Sequence, residues 1–215
     1  MGSSRRHWEE VYTAKAETAV SWYQRHPVRS LQMIAAAAAA DRTVPVSVPE
    51  IMPVIDIGGG ASTLVDHLLA EGFGDITVLD VAEAALAKSK ARLGAAADKV
   101  SWIVADIAHW TPPRQYRVWH DRAVFHFLTD SARQDAYIAA LEAATEPGAT
   151  AIVATFALDG PAKCSGLPVQ RYSPQTLAAR LGRSFRLIDA ARETHATPGG
   201  SAQHFSYAVL RRVGD

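Results

Sequence analysis

Residues 54–63 read VIDIGGGAST, and LVDHLLAEG follows directly at 64–72. A short apolar run carrying one acid enters three consecutive glycines and then an amphipathic stretch. The order is strand, tight turn, helix. A packed core gains nothing from GGG. Glycine belongs where backbone must turn sharply or where another molecule approaches it closely. Gly58 and Gly60 therefore mark a turn able to lie against a ligand, and Asp56 at the strand end can attract a cationic group or accept a hydrogen bond. The spacing D-x-G-x-G alone fits a cofactor site and a plain tight turn equally well.

The sequence around this turn alternates. ITVLD (76–80), VSWIVADI (100–107), YRVWHD (116–121) and ATAIVATF (149–156) read as strands. TLVDHLLAE (63–71), VAEAALAKSKARLG (81–94) and about 130–145 read as helices, with Gly72, Gly94 and the Pro-Gly at 147–148 as stops. Strands apolar on both faces, alternating with helices, predict a doubly wound parallel sheet with helices on both faces. The tail breaks the rhythm. FRLIDAARET (185–194) and HFSYAVLRR (204–212) have no helix between them. They form an antiparallel hairpin, which makes the sheet seven-stranded and mostly parallel. Upstream, Val11, Ala14, Thr18 and Trp22 recur at helical spacing, so a helix is expected over 9–26, ended by Pro27. A second is expected over 30–40 with Ser30 as its cap, then an extended connector, TVPVSVPE (43–50).

Composition narrows the function. The chain has 215 residues, 48% of them hydrophobic, enough for one domain with a core and small additions. Twenty-two Lys plus Arg balance 22 Asp plus Glu, which argues against nucleic acid or an anionic membrane as a partner of the whole surface. Cys164 is the single cysteine, so no intrachain disulfide framework exists. No run is apolar over the roughly 20 residues a membrane helix needs, and the first residues carry no secretory apolar core. A cytoplasmic location is expected.

Three acids then define a ligand. Asp56, Asp80 and Asp106 end three successive strand-like runs. In a doubly wound sheet, ligands bind beyond the carboxyl ends of the strands. A carboxylate at Asp80 can take both hydroxyls of a ribose. One at Asp106 can accept from an adenine amino group, with Ile107 against the ring. Thr63 stands where a dinucleotide fingerprint has its third glycine, and no lysine occurs between 55 and 87, so a P-loop is excluded. Three acids repel a phosphate and suit an adenosyl ligand with a positive charge.

On VIDIGGGAS, VLDVAEAAL, VADI and the PGA at 147–149, the chain resembles the class I S-adenosylmethionine-dependent methyltransferases. The resemblance covers about 50–212. It implies S-adenosylmethionine as cofactor, with Asp56, Gly58 and Gly60 under its methionine part, Asp80 on the ribose and Asp106 with Ile107 on the adenine. Ser62 replaces the usual third glycine. The stretch VWHDRAVFHFLTDSARQDAYIAAL (118–141) is similar to the WDRG…R…Y segment of thiopurine- and thiol-type small-molecule methyltransferases, with Ala123 in place of the glycine and His120 between Trp119 and Asp121. The domain reading is an N-terminal helical extension or lid over 1–49 and the cofactor-binding domain over 50–215.

The acceptor side is expected around the end of the fourth strand. Asp121 is placed beside the cofactor and, with His126 as base, in the catalytic role. His120, Arg122, His195 and His204 are the acceptor-binding candidates, without a metal. The segment 158–172 is a lid, and Trp8, Tyr12, Trp22 and Tyr23 can wall the pocket. The expected reaction is methyl transfer to a small-molecule nucleophile, a thiol among the candidates. A protein-lysine methyltransferase and a non-catalytic S-adenosylmethionine-binding protein are the alternatives.

Overall fold

A computed structural model describes residues 3–41 and 51–214. The connector read at 43–50 lies outside the described residues. Helices α1 (Ser3–Ala14) and α2 (Val28–Ala40) precede strand β1 (Val54–Ile57). There follow α3 (Leu64–Ala70), β2 (Ile76–Asp80), α4 (Glu83–Leu93), β3 (Val100–Val104), β4 (Tyr116–Arg122), α5 (Ser131–Ala143) and β5 (Thr145–Phe156). A short hairpin, β6 (Lys163–Cys164) and β7 (Leu167–Pro168), leads to α6 (Pro174–Leu181), β8 (Phe185–Ala196) and β9 (Ala202–Arg212).

The main sheet has seven strands in the order β3-β2-β1-β4-β5-β9-β8. Strands β1 to β5 run parallel, and β9 is antiparallel to both β5 and β8. The strand order reverses between β1 and β4, so the crevice of this fold opens at the carboxyl ends of those two strands. No helix of the described residues is long and apolar enough to cross a membrane.

Strand pleat divides the core in two. Val54 and Val118 face α2 and α3, where Leu31, Ile34, Leu64 and Leu68 are buried. Ile55, Ile57 and Trp119 face α5 and α6, where Tyr137, Leu141, Leu177 and Leu181 are buried. The register pairs Asp56 with His120 and Ile57 with Asp121. His120 therefore falls on the α2 face and Asp121 on the α5 face.

Several elements differ from their sequence reading. The helix expected over 9–26 starts at Ser3 and stops at Ala14. The chain then makes a 3-10 turn at Glu17–Ala19 and folds back, so that the Trp22 indole donates to the Tyr12 hydroxyl at 3.1 Å. Ten residues along one helix lie about 15 Å apart, whereas these two rings are 6.1 Å apart. Ring packing overrides helix propensity here. Ser30 is no cap. Helix α2 begins at Val28, and Ser30 is buried within its first turn. Strand β3 stops at Val104, and Asp106 instead caps a 3-10 turn at Ile107–His109 by accepting from the Ala108 N–H at 3.1 Å. The turn between β8 and β9 is only 197–201, shorter than the HATPGGSAQH stretch suggests. Helix α6 was not anticipated, although SPQT (173–176) carries its signal: Ser173 caps it, Pro174 opens it, and Thr176 completes a capping box.

Candidate cofactor and acceptor site

The turn after β1 is shaped by its glycines. Gly58 has φ of 69°, a left-handed conformation, and a Cβ there would run into the Val124 side chain. Gly60 lies so close to Asp80 that a Cβ would overlap its carboxylate. Helix α4 holds the turn from below. The Ser89 hydroxyl donates to the Gly60 carbonyl at 2.6 Å, and Arg92 donates to the Ser62 carbonyl at 2.7 Å while bonding Asp66 and Glu17.

A cavity of about 290 Å³ opens at the carboxyl ends of β1, β2 and β4. Gly58, Asp80, Asp106 and Ile107 line it together. Asp80 is buried and accepts from the Ala82 N–H at 2.8 Å. Burial, with help from nearby Asp56, pushes its carboxyl up to about 7. Asp106 is half-buried and takes two hydrogen bonds from Arg133 Nη2, at 2.9 and 3.1 Å. Arg133 lines the same cavity; it lies in the WDRG…R…Y-like stretch but was not among the expected site residues.

The roof comes from two distant segments. Trp8, Tyr12 and Trp22 line the cavity from the N-terminal side, and Cys164, Leu167 and Pro168 from the β6–β7 hairpin. Trp8 packs edge-on against Trp22 at 5.5 Å and against Phe127 at 5.1 Å. Glu9 accepts from the Glu83 and Ala84 N–H groups at 2.8 and 3.1 Å, so α1 is anchored on the first turn of α4. At its other side His7 pairs with the Ser165 hydroxyl at 3.2 Å, joining α1 to the hairpin. His7 also lines the cavity; the sequence reading passed it over, because its partner is 158 residues away. Tyr23 borders only a second, smaller cavity of about 60 Å³ behind the glycine turn.

Several expected site residues lie elsewhere. Asp121 is fully buried on the α5 face. Its two oxygens accept from the Val124 N–H at 2.8 Å, the Phe125 N–H at 3.0 Å and the Tyr137 hydroxyl at 2.7 Å. Burial pushes it up to about 6. It knots the 123–127 turn and does not line the cavity, which corrects its cofactor and catalytic assignment. In that turn Ala123 takes φ of 78°, a left-handed conformation that favours glycine.

His126 is fully buried against Phe127 and Phe156, at ring distances of 4.4 and 4.8 Å. Burial and then the charge of Arg122 pull its imidazole down to about 3. It is not among the cavity-lining residues, so its assignment as base is corrected as well. His120 sits inside β4 and bridges Asp56 Oδ1 at 2.7 Å and the Ser30 hydroxyl at 2.9 Å. Asp56 thus meets an imidazole beneath the turn, and both border the smaller cavity rather than the larger one. The His195 Nε2–H donates to the Ser21 carbonyl at 2.8 Å. His204 pairs with the Thr194 hydroxyl at 3.2 Å. Neither histidine lines the cavity, because the β8–β9 hairpin carries them outside its wall. Of the four acceptor candidates, Arg122 alone lines it.

The comparisons with known proteins agree with this geometry. Residues 54–148 match the family model described as a methyltransferase domain. The fold aligns over 97% of this chain with a protein studied for the conversion of a disulfide bond into a thioacetal group during echinomycin biosynthesis, at TM-score 0.70 and 17% identity, covering 93% of that chain. It aligns with N-methyltransferase NodS from Bradyrhizobium japonicum WM9, solved with S-adenosylhomocysteine, at TM-score 0.68 and 15% identity over 97% of this chain and 98% of that one. It also aligns with the 1,6-didemethyltoxoflavin-N1-methyltransferase of Burkholderia thailandensis, at TM-score 0.63 and 18% identity over 100% and 92%. No curated protein matches the sequence. The sheet order and glycine turn agree with the fold of these methyltransferases, and the methyltransferase-domain model matches the part of the chain that carries them. The matched residues, 54–148, hold the turn and the acids that follow β2 and β3.

Proposed function

We propose that this chain transfers the methyl group of S-adenosylmethionine to a nucleophilic atom of a small molecule. The carrying observation is the roofed cavity in which Gly58, Asp80, Asp106 and Ile107 meet the aromatic wall of the N-terminal segment. Asp80 accepts from the ribose hydroxyls, Ile107 packs on the adenine, and Asp106, held by Arg133, accepts from its amino group. Gly58 and Gly60 let the backbone lie along the methionine part. Asp56 steadies that turn through His120. The N-terminal helices of the 1–49 extension act as a lid on the cofactor domain at 50–215.

The cofactor supplies an electrophilic methyl on a sulfonium, and the protein has to align the nucleophile in line with it and exclude water. Of the groups lining the cavity, Asp80 and Asp106 are assigned to the cofactor, and His7 is bound to the Ser165 hydroxyl. Burial raises the Tyr12 hydroxyl well above its usual range and pushes the Cys164 thiol up to about 11. The acceptor therefore brings its own lone pair, as a thiolate or an unprotonated amine. Among the structural neighbours, two are named as N-methyltransferases and one was studied for the conversion of a disulfide bond into a thioacetal group. The roof, closed by Trp8, Phe127 and the β6–β7 hairpin, favours a small acceptor over a protein lysine or nucleic acid. Free, buried Cys164 is compatible with a reducing, cytoplasmic setting.

The test is turnover with methyl-deuterated S-adenosylmethionine and a panel of small thiols and amines, read by mass spectrometry. Labelled S-methyl or N-methyl product that disappears in the Asp80→Ala variant supports the reading. Label appearing only in protein from a lysate contradicts it.

A further inference from the structure

The acceptor end of the cavity is walled mostly by rings: Trp8, Trp22, Phe127 and Phe205. One cation stands among them. The Arg122 side chain is 10% exposed and lies over the Phe205 ring, its guanidinium carbon 4.1 Å from the centroid. Its Nε donates to the Tyr207 hydroxyl at 3.2 Å and its Nη1 to the Trp22 carbonyl at 3.3 Å. Its Nη2 is buried and has no hydrogen-bond partner. The nearest carboxylate oxygen, Glu193 Oε2, is 3.5 Å away. That contact is an ion pair without a hydrogen bond, and the same carboxylate accepts from Gln24 Nε2 on one oxygen at 2.8 Å and from the Tyr207 hydroxyl on the other at 3.0 Å. A buried guanidinium donor left without an acceptor is costly, and a planar carboxylate satisfies it well.

We infer that Arg122 is the anion subsite of the acceptor, and that the acceptor is a small aromatic molecule bearing a carboxylate. The carboxylate binds at Nη2, and the ring packs among Trp8, Phe127 and Phe205. This assignment rests on the methyl-transfer reading for its word "acceptor", and the subsite itself can be tested separately. A rival guest is the carboxylate of the cofactor itself, since Arg122 also borders the smaller cavity behind the glycine turn.

The experiment is calorimetric titration of benzoate and of benzamide into the full chain, both free and saturated with S-adenosylhomocysteine. It is repeated with Arg122→Lys and Arg122→Met. The expected result is benzoate binding at least about tenfold tighter than benzamide in the unaltered protein, a preference largely kept by Lys and lost in Met. Affinity for S-adenosylhomocysteine should change less than about threefold. Equal binding of benzoate and benzamide, or benzoate binding indifferent to Arg122→Met, overturns the subsite. So does a Met variant that weakens S-adenosylhomocysteine but not 5′-methylthioadenosine, which lacks the carboxylate; Arg122 would then belong to the cofactor. The benzoate–benzamide pair decides the matter in the unaltered protein even where the Met variant does not fold. Benzoate preference without any S-adenosylhomocysteine binding would keep the anion subsite and remove the methyl-transfer reading.

Discussion

The ends of β2 and β4 each carry an aspartate with a raised carboxyl, yet the two do opposite work. Asp80 ends β2, lines the cavity and is held by backbone N–H groups, that of Ala82 foremost, with no side-chain donor on it. Asp121, near the end of β4, is sealed on the α5 face with two backbone N–H groups and the Tyr137 hydroxyl on it. The first is left able to accept from a ligand. The second is spent on holding the 123–127 turn. An acid at a strand end is thus a ligand residue only when the pleat turns it toward the crevice, and the pleat follows from strand register rather than from local sequence.

Substitutions at the two positions should separate. Asp121→Ala, the largest effect expected, removes three hydrogen bonds from a buried turn and should cost about 3 kcal/mol of folding stability. Urea unfolding measures it, and a midpoint within error of the unaltered protein would break the contrast. Asp80→Ala should leave the unfolding midpoint nearly unchanged but weaken S-adenosylhomocysteine binding by roughly 10- to 100-fold, the value of one or two charge-assisted bonds. Calorimetry reads it directly; affinity equal to that of the unaltered protein removes Asp80 from the ribose.

The pH dependence sharpens the same point. Asp80 is pushed up to about 7, and the form that accepts both ribose hydroxyls is the carboxylate. Binding the ligand then releases a proton below that pH, so affinity should rise from about pH 6 to about pH 8 and level off above. A flat profile would mean that the carboxyl is ionised throughout or is not used. A smaller effect is expected at Ala123, whose φ of 78° is unfavourable for any side chain. Ala123→Gly should stabilise the protein by about 1 kcal/mol; a loss of stability would show that the alanine methyl packs better than its backbone is strained. The smallest effect is at His126, buried out of the cavity. His126→Gln should leave the shape of the pH–rate profile unchanged, whereas loss of one limb of that profile would restore it as a base.

The cavity lining at the ends of β1, β2 and β3 was legible because its signals are short. VIDIGGG, the aspartate ending ITVLD and the VADI segment each place a functional group within a few residues of a strand end, so secondary structure alone carries them to the crevice. The acceptor half was not, because its geometry depends on long-range contacts. His120 looked like a rim residue until strand pairing set it opposite Asp56 and under Ser30. His7 reaches Ser165 without any local pattern to announce it, and Arg133 reaches back to Asp106, a pairing that its place in the sequence does not reveal. The break in the N-terminal helix is of the same kind: Lys15–Thr18 is helix-compatible, and only the Tyr12–Trp22 contact shows why the chain turns.

The most direct measurement is calorimetric titration of the purified chain with S-adenosylmethionine, S-adenosylhomocysteine and NAD. Micromolar binding of both adenosyl compounds with none of NAD is the predicted result. Binding of NAD in their place, or of none of the three, would contradict the central claim that the roofed cavity at the ends of β1, β2 and β4 is a methyl-donor site.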